Sequence, residues 1–310
     1  MNRTALISLC LATVLIGWGF SWELLKYQTG SPDLPAVTVP VFYRFGASGL
    51  LFVAFILVRD FWRGTISFQF PLGTWGLVAL LGAGFFSTNF ALVYTGQRGL
   101  PGDLVSLLFA FVVVTNLVVT SLFNKQLPSA RVSAAALIGF LGVVALLSPN
   151  IWSDGAIEFD WLTLRQVGFC LLGTVVVSFA TVIQMALNRR KVPVVTSTAF
   201  AMSFGASYLG LYSFVRGFSF DILSAPPSFY WSLSFLVIFS SIASFSAYLK
   251  LIGLIGPNRG GYVNLGTAIV AMTVAYALDT GLNFNVVQGL GVILILGGGY
   301  LILRYREQEA

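Results

Sequence analysis

Two charged side chains lie within long apolar runs of the sequence, where a charge is costly and usually serves a function. Arg44 lies in the second run, and its planar guanidinium could clamp a carboxylate or a phosphate through several N–H donors. Glu23 lies near the end of the first run and could bind an ammonium group or exchange protons. Together the two side chains would complement a zwitterion such as an amino acid.

Both charges also have structural interpretations. Glu23 stands one helical turn before Lys26 and could pair with it at the membrane interface. Arg44 could pair with Glu23 or with the carbonyl groups of a helix end. Lys250 lies near the end of the eighth run, where its long side chain could reach the lipid headgroups. The sequence leaves the choice between binding and structure open for Glu23 and Arg44.

Aromatic and amide side chains add further candidates. Trp18 and Tyr94 are suited to line a cavity for amphipathic, aromatic or cationic solutes, although aromatic residues also face lipid in most membrane proteins. Asn264 could bind a substrate or hold two helices together. We therefore predict a substrate site that contains Trp18, Glu23, Arg44, Tyr94 and Asn264.

Several kinds of chemistry lack the residues they need. The chain has no histidine, and its two cysteines, Cys10 and Cys170, lie inside apolar runs, so we predict no disulfide and no metal site. The sequence contains no nucleotide-binding loop and no convergent nucleophile and base. The formal net charge of +6 comes from dispersed basic residues in short loops. We predict no enzyme activity, no cofactor and no nucleic-acid partner.

The elements that would position these residues are membrane helices. The 310 residues are 57% hydrophobic and 9% charged, whereas a soluble domain has about 25% charged residues. A bilayer core needs about 20 apolar residues per helix, and lipid requires each segment to satisfy its own backbone groups. We predict ten transmembrane helices, at residues 4–26, 36–58, 73–95, 101–123, 130–149, 166–188, 195–216, 229–252, 258–280 and 285–304.

Basic residues gather on alternate connections between these helices. The positive-inside rule then places both termini in the cytoplasm. The first apolar run has no cleavage site before a soluble domain, so we predict that it is an uncleaved transmembrane helix. We expect a multi-pass protein of the bacterial inner (plasma) membrane. The cytoplasmic set holds Arg3, Arg59, Arg63, Lys125, Arg131, Arg189, Arg190, Lys191, Arg259, Arg304 and Arg306, and the outer set holds Lys26, Arg98, Arg165 and Arg216.

Short motifs recur in the two halves of the chain. The segment 45–48, Phe-Gly-Ala-Ser, recurs at 204–207, and Pro101 and Pro257 each begin a predicted helix after a short loop. Offsets that agree within a few residues, in chain order, indicate duplication of a five-helix unit.

We therefore predict an all-α polytopic membrane protein built of two five-helix repeats, 1–155 and 156–310, in one membrane domain. Because five is odd, the second repeat must cross the membrane in the inverted sense. Asp103 in a predicted outer loop corresponds to Arg259 in a predicted cytoplasmic loop, so the charge changes sign as the side changes. Inverted repeats are a recurrent transporter architecture, with the binding site between the halves.

Three motifs follow one another in the first half: Trp-Gly-Phe-Ser at 18–21, Tyr-Arg-Phe at 43–45 and Ala-Leu-Val-Tyr at 91–94. In their order and spacing they resemble the drug/metabolite transporter superfamily, in particular its ten-helix EamA-type members. The resemblance covers nearly the whole chain. It implies a central cavity lined by helices 1–4 and 6–9, with helices 5 and 10 more peripheral.

These observations predict a secondary transporter that moves a small metabolite by alternating access. The favoured cargo is an amino acid or a related amphipathic solute, the favoured direction is export, and proton antiport is the most economical coupling. The alternative is an uncoupled channel or facilitator, or a structural membrane protein. The expected partners are the small-molecule substrate and the lipid bilayer, and the expected assembly is a monomer or a homodimer.

Overall fold

A computed structural model of the chain describes residues 2–29, 35–100, 102–125, 128–151, 160–255, 263–279 and 285–306. The regular backbone of these residues is helical, and we number the helices in chain order. They are α1 (Arg3–Thr29), α2 (Thr38–Arg63), α3 (Leu72–Gln97), α4 (102–124), α5 (Ala130–Ile151), α6 (Trp161–Arg189), α7 (Val194–Val215), α8 (227–255), α9 (Val263–Asp279) and α10 (Val286–Arg306).

Seven of these helices, namely α1 to α4 and α6 to α8, are long and apolar enough to cross a membrane. The apolar parts of α5, α9 and α10 are shorter, at Ala130–Leu146, Val263–Val274 and Val286–Leu301. Large apolar side chains such as Leu50 and Phe214 are exposed on the outer surface, as expected of helices that face lipid. The chain is a multi-pass α-helical membrane protein.

Four helices depart from a regular α-helix. α1 breaks at Leu25 before a last turn, and α4 is interrupted at Phe111. α3 contains a π-helix at Gly82–Thr88, and α8 contains one at Leu236–Ala243. The sequence predicted uninterrupted helices here, because an apolar run gives no sign of a local change in hydrogen-bond pattern.

The repeated Phe-Gly-Ala-Ser motif lies at the crossing of α2 and α7. A Cβ atom on Gly46 would stand 3.7 Å from the Cβ of Ala206, and one on Gly49 would stand 2.6 Å from the Oγ of Ser203. Small side chains let the two helices approach closely, which is the usual basis of helix association in lipid.

A second close pair is formed by α5 and α10. A Cβ atom on Gly298 would stand 2.7 Å from the backbone nitrogen of Gly139, and one on Gly291 would stand 2.5 Å from that of Leu146. Both helices therefore touch through their backbones.

Contacts between helix ends define two faces of the bundle. On the N-terminal face, Arg3 donates to the carbonyl of Leu254, which joins the start of α1 to the end of α8. Arg190 donates to Thr74 there and joins the end of α6 to the start of α3. On the opposite face, Gln28 at the end of α1 donates to the carbonyl of Phe229 at the start of α8, at 2.9 Å. The predicted correspondence between Asp103 and Arg259 involves a residue, Arg259, that lies outside the described residues.

Candidate functional site

A cavity of about 560 Å³ runs along the centre of the bundle, chiefly between α1, α3, α4, α6, α8 and α9. Its inner end is lined by the buried side chains of Leu25 and Val93. At its other end it reaches Asn124 and the half-exposed Pro128 and Ser129, where α4 ends and α5 begins. As far as the described residues line it, the cavity thus opens at the N-terminal face and is closed by buried side chains toward the opposite face.

The peripheral helices mostly match the arrangement implied by the family resemblance. Among the described residues, α10 contributes nothing to the cavity lining. α5 contributes Val132 near its start, and α2 contributes Arg44. α7 differs from the expectation, because none of its described residues lines the cavity; its close contact with α2 lies behind that helix.

Arg44 carries the charge of the site. It is only 2% exposed, and it lies at the wall of the cavity. Its Nε donates to the hydroxyl of Ser241 at 3.1 Å, one Nη to that of Ser240 at 2.9 Å, and the other Nη to that of Tyr94 at 3.3 Å. Three neutral hydroxyl groups therefore hold the guanidinium in place without cancelling its charge.

Two consecutive serines in the π-helix of α8 bind the same guanidinium. Hydrogen bonding from i to i+5 widens the helical turn, so consecutive side chains diverge less than they do in an α-helix. Ser240 and Ser241 lie within this π-helix and both face Arg44. π-helical turns are frequent at functional sites.

Aromatic rings surround the guanidinium and continue along the cavity. The guanidinium carbon of Arg44 stands 5.0 Å from the ring centroids of Phe45 and of Phe90, within cation–π distance. The indole N–H of Trp18 donates to the carbonyl of Ser240 at 3.1 Å. The Trp18 ring stands 4.9 Å from that of Tyr248. These rings give the inner half of the cavity an apolar wall.

The half of the cavity nearer its opening has polar side chains, and its described lining carries no charge. Asn116, Thr120 and Asn124 of α4 line it at intervals of four residues, which places them on one face of the helix. Asn264 of α9 also lines the cavity. A solute that enters from the N-terminal face therefore passes amide and hydroxyl groups before it reaches Arg44.

The structure brings together three of the five predicted site residues at the cavity surface, namely Trp18, Arg44 and Asn264. Tyr94 is fully buried behind Arg44 and contacts its guanidinium. Glu23 is not among the described lining residues and forms an ion pair with Lys26, at 3.2 Å.

Glu23 also lies close to the start of α4. A Cβ atom on Gly102 would stand 2.9 Å from its Oε1. A carboxylate is favourable near a helix N-terminus, where the helix dipole is positive. The described contacts of Glu23 are therefore at the closed end of the bundle, beside Lys26 and α4.

Sequence reasoning did not single out Ser240, Ser241 or Phe90. Serine is common in membrane helices, and the sequence has no motif around positions 240 and 241 that marks a ligand to Arg44. Among the described residues, His, Cys, Asp and Glu form no group of three that could hold a metal ion.

Comparisons with known proteins agree with this architecture. No protein-family profile matches the chain. A protein of Archaeoglobus fulgidus that is described as an uncharacterized transporter is 21% identical over 299 residues, which is 96% of this chain and 98% of that protein. A crystal structure with 16% sequence identity superposes with a TM-score of 0.68 and covers 100% of both chains. At this identity the crystal structure shows a likeness of fold alone.

Proposed function

We propose that this protein is a secondary transporter that moves a small amphipathic metabolite, such as an amino acid, by alternating access. The observation that carries the proposal is the central cavity, which opens at one face, is closed at the other, and has a buried guanidinium and aromatic rings on its wall. A solute that binds there would be released on the far side once the closed end opens. The distant relative described as a transporter supports this function.

The duplication belongs to the same proposal. The π-helices begin at Gly82 and Leu236, an offset of 154 residues that is close to the offsets of the sequence motifs. Contacts between helices correspond under an exchange of residues 1–155 with 156–310: α1 packs on α8 and α9 as α6 packs on α3 and α4. This correspondence supports two inverted five-helix repeats and an EamA-type architecture of ten spans.

The charge distribution supports an orientation for the cavity. The cavity opens at the N-terminal face, which carries Arg3, Arg189 and Arg190. Under the positive-inside rule this face is cytoplasmic, so the structure would correspond to an inward-open carrier that loads substrate from the cytoplasm. We propose export across the bacterial inner membrane. We also propose that export is coupled to protons, which an imposed pH gradient tests.

Reconstitution of the purified protein into proteoliposomes tests the proposal. A panel of radiolabelled amino acids, organic acids, organic cations and sugars is assayed for uptake with and without a pH gradient. We expect uptake of at least one compound that saturates with concentration, shows counterflow and is lost when Trp18 is replaced by alanine. Flux that stays linear with concentration and lacks counterflow would instead indicate the alternative, a channel or facilitator.

A further inference from the structure

The charge of Arg44 has no counter-ion among the described side chains. Lys26 pairs with Glu23, and Arg59 pairs with Asp60 at 2.7 Å, whereas Arg44 contacts the hydroxyls of Ser240, Ser241 and Tyr94. Burial of a charge is far more costly than burial of a neutral polar group unless an opposite charge compensates it. A bound anion would compensate this buried charge.

Arg44 also keeps donors for such an anion. A guanidinium has five N–H groups, and the structure gives the Nε–H and one N–H of each terminal nitrogen a hydroxyl partner. One N–H on each terminal nitrogen is left. One N–H donor on each of the two terminal nitrogens is the set that a guanidinium uses to bind both oxygens of a carboxylate in a bidentate pair, which is both strong and geometrically specific.

The side chains around these donors determine which chemical groups the rest of the ligand can carry. Phe90, Trp18, Phe245 and Tyr248 line the cavity beside Arg44, so the part of the ligand next to its anionic group meets apolar and aromatic surface. Farther out, the described lining offers the neutral amides and hydroxyls of α4 and α9. These groups can hydrate or hydrogen-bond a solute, but they provide no negative charge for an ammonium group.

We infer that the cavity recognises an organic carboxylate with an apolar or aromatic body, that the carboxylate binds Arg44, and that a positive charge on the ligand contributes little. This inference rests on the proposed function and narrows its substrate class. It assigns to the amide and hydroxyl groups of the cavity, rather than to Glu23, whatever contact a ligand's amino group makes.

A matched series of four compounds tests the inference on the unaltered, purified protein by isothermal titration calorimetry. 3-Phenylpropionate has the carboxylate alone, L-phenylalanine has the carboxylate and the ammonium, 2-phenylethylamine has the ammonium alone, and 3-phenylpropanamide has neither charge. We expect the two carboxylates to bind with similar affinity and the amine and the amide to bind at least about tenfold more weakly, the size of one lost charged hydrogen bond. An amine that binds as tightly as the carboxylates would overturn the inference.

Two arginine variants connect this preference to Arg44. Arg44→Gln removes the charge and the paired donors, and we expect it to lower the affinity for 3-phenylpropionate at least about tenfold. Arg98→Gln is the matched control, because Arg98 is exposed, is not part of the described cavity lining and donates to the carbonyl of Pro35 at 3.4 Å, and it should bind like the unaltered protein. Unchanged binding by a folded Arg44→Gln protein would contradict the inference, and the compound series decides it if that variant does not fold.

Flux in proteoliposomes separates failure of this inference from failure of the proposed function. Saturable flux of 2-phenylethylamine without flux of 3-phenylpropionate would leave a transporter but refute carboxylate recognition. Binding of the carboxylates without saturable flux of either would support the anion site and refute transport. Saturable flux of the carboxylates supports both.

Discussion

At the scale of single residues, Glu23 and Arg44 provide a direct comparison, because both are nearly buried charges of the same bundle. Glu23 pairs with Lys26 and lies beside the start of α4. We expect Glu23→Gln to leave the affinity for 3-phenylpropionate within about twofold, since mutations at separate sites act independently. It should lower the free energy of unfolding by about 1–3 kcal/mol, because the buried carboxylate loses its charge and with it the contact to Lys26.

Calorimetric titration together with thermal unfolding in one detergent checks this expectation, and Arg44→Gln is the comparison variant. The two variants should differ in affinity for 3-phenylpropionate, because Glu23→Gln keeps it within about twofold of the unaltered protein and Arg44→Gln lowers it at least about tenfold. Loss of 3-phenylpropionate binding in a folded Glu23→Gln protein would place the carboxylate in the binding machinery after all.

How far the sequence could predict this site depends on what kind of information each residue carries. An arginine inside an apolar run is recognisable as a candidate from the sequence alone, since placing a charged side chain within a membrane helix costs free energy. Its partners are not, because Ser240 and Ser241 follow Arg44 by almost 200 residues and reach it only through the packing of α2 against α8. Glu23 is absent from the described lining although its neighbour Trp22 lines the cavity, so its position depends on which face of α1 is turned toward the cavity.

At the scale of helices, glycine positions on α10 give a prediction with an internal control. Gly298 faces α5, where an added Cβ would stand 2.7 Å from the backbone nitrogen of Gly139. Its neighbour Gly297 has no atom within 4 Å of an added Cβ. We expect Gly298→Ala to destabilise the protein by about 1–3 kcal/mol, because the two backbones must move apart.

Gly297→Ala should change the stability by less than about 1 kcal/mol, because alanine is tolerated in a helix at an open position. Thermal unfolding of both variants in the same detergent measures the difference. Equal melting temperatures for the two variants would show that α5 and α10 do not pack through Gly298 in the folded protein.

The sequence predicted where the helices lie, but it did not predict their irregular turns. The ten predicted apolar runs all overlap described helices, because apolar length alone determines a candidate span. The π-helices of α3 and α8 arise inside runs such as Leu236–Ala243 that read as ordinary apolar helix. Ser240 and Ser241, which bind Arg44, lie within the π-helix of α8, so part of the site lies on an irregularity that the sequence did not predict.

At the scale of the whole molecule, the lengths of α5, α9 and α10 bear on the number of membrane crossings. The described helices of α5 and α10 contain 22 and 21 residues, and 22 residues at about 1.5 Å each extend for about 33 Å, enough to cross a bilayer core. α9 contains 17 residues over its described length, which is at the lower limit for a span. Seven described helices are long and apolar enough to cross a membrane, and we predict that α5, α9 and α10 cross it as well.

The positions of the two termini distinguish these numbers, since an even number of crossings leaves both termini on one side and an odd number leaves them on opposite sides. We expect both termini to be cytoplasmic, because the N-terminal face carries the basic residues of α1 and α6. Fusions of a fluorescent protein, which matures only in the cytoplasm, and of a phosphatase, which is active only outside, are made at each terminus. Fluorescence from both fusions, without phosphatase activity, would establish an even number of crossings. A fluorescent N-terminal fusion with an active C-terminal phosphatase would contradict ten crossings, and with them the inverted five-helix repeats on which the alternating-access proposal rests.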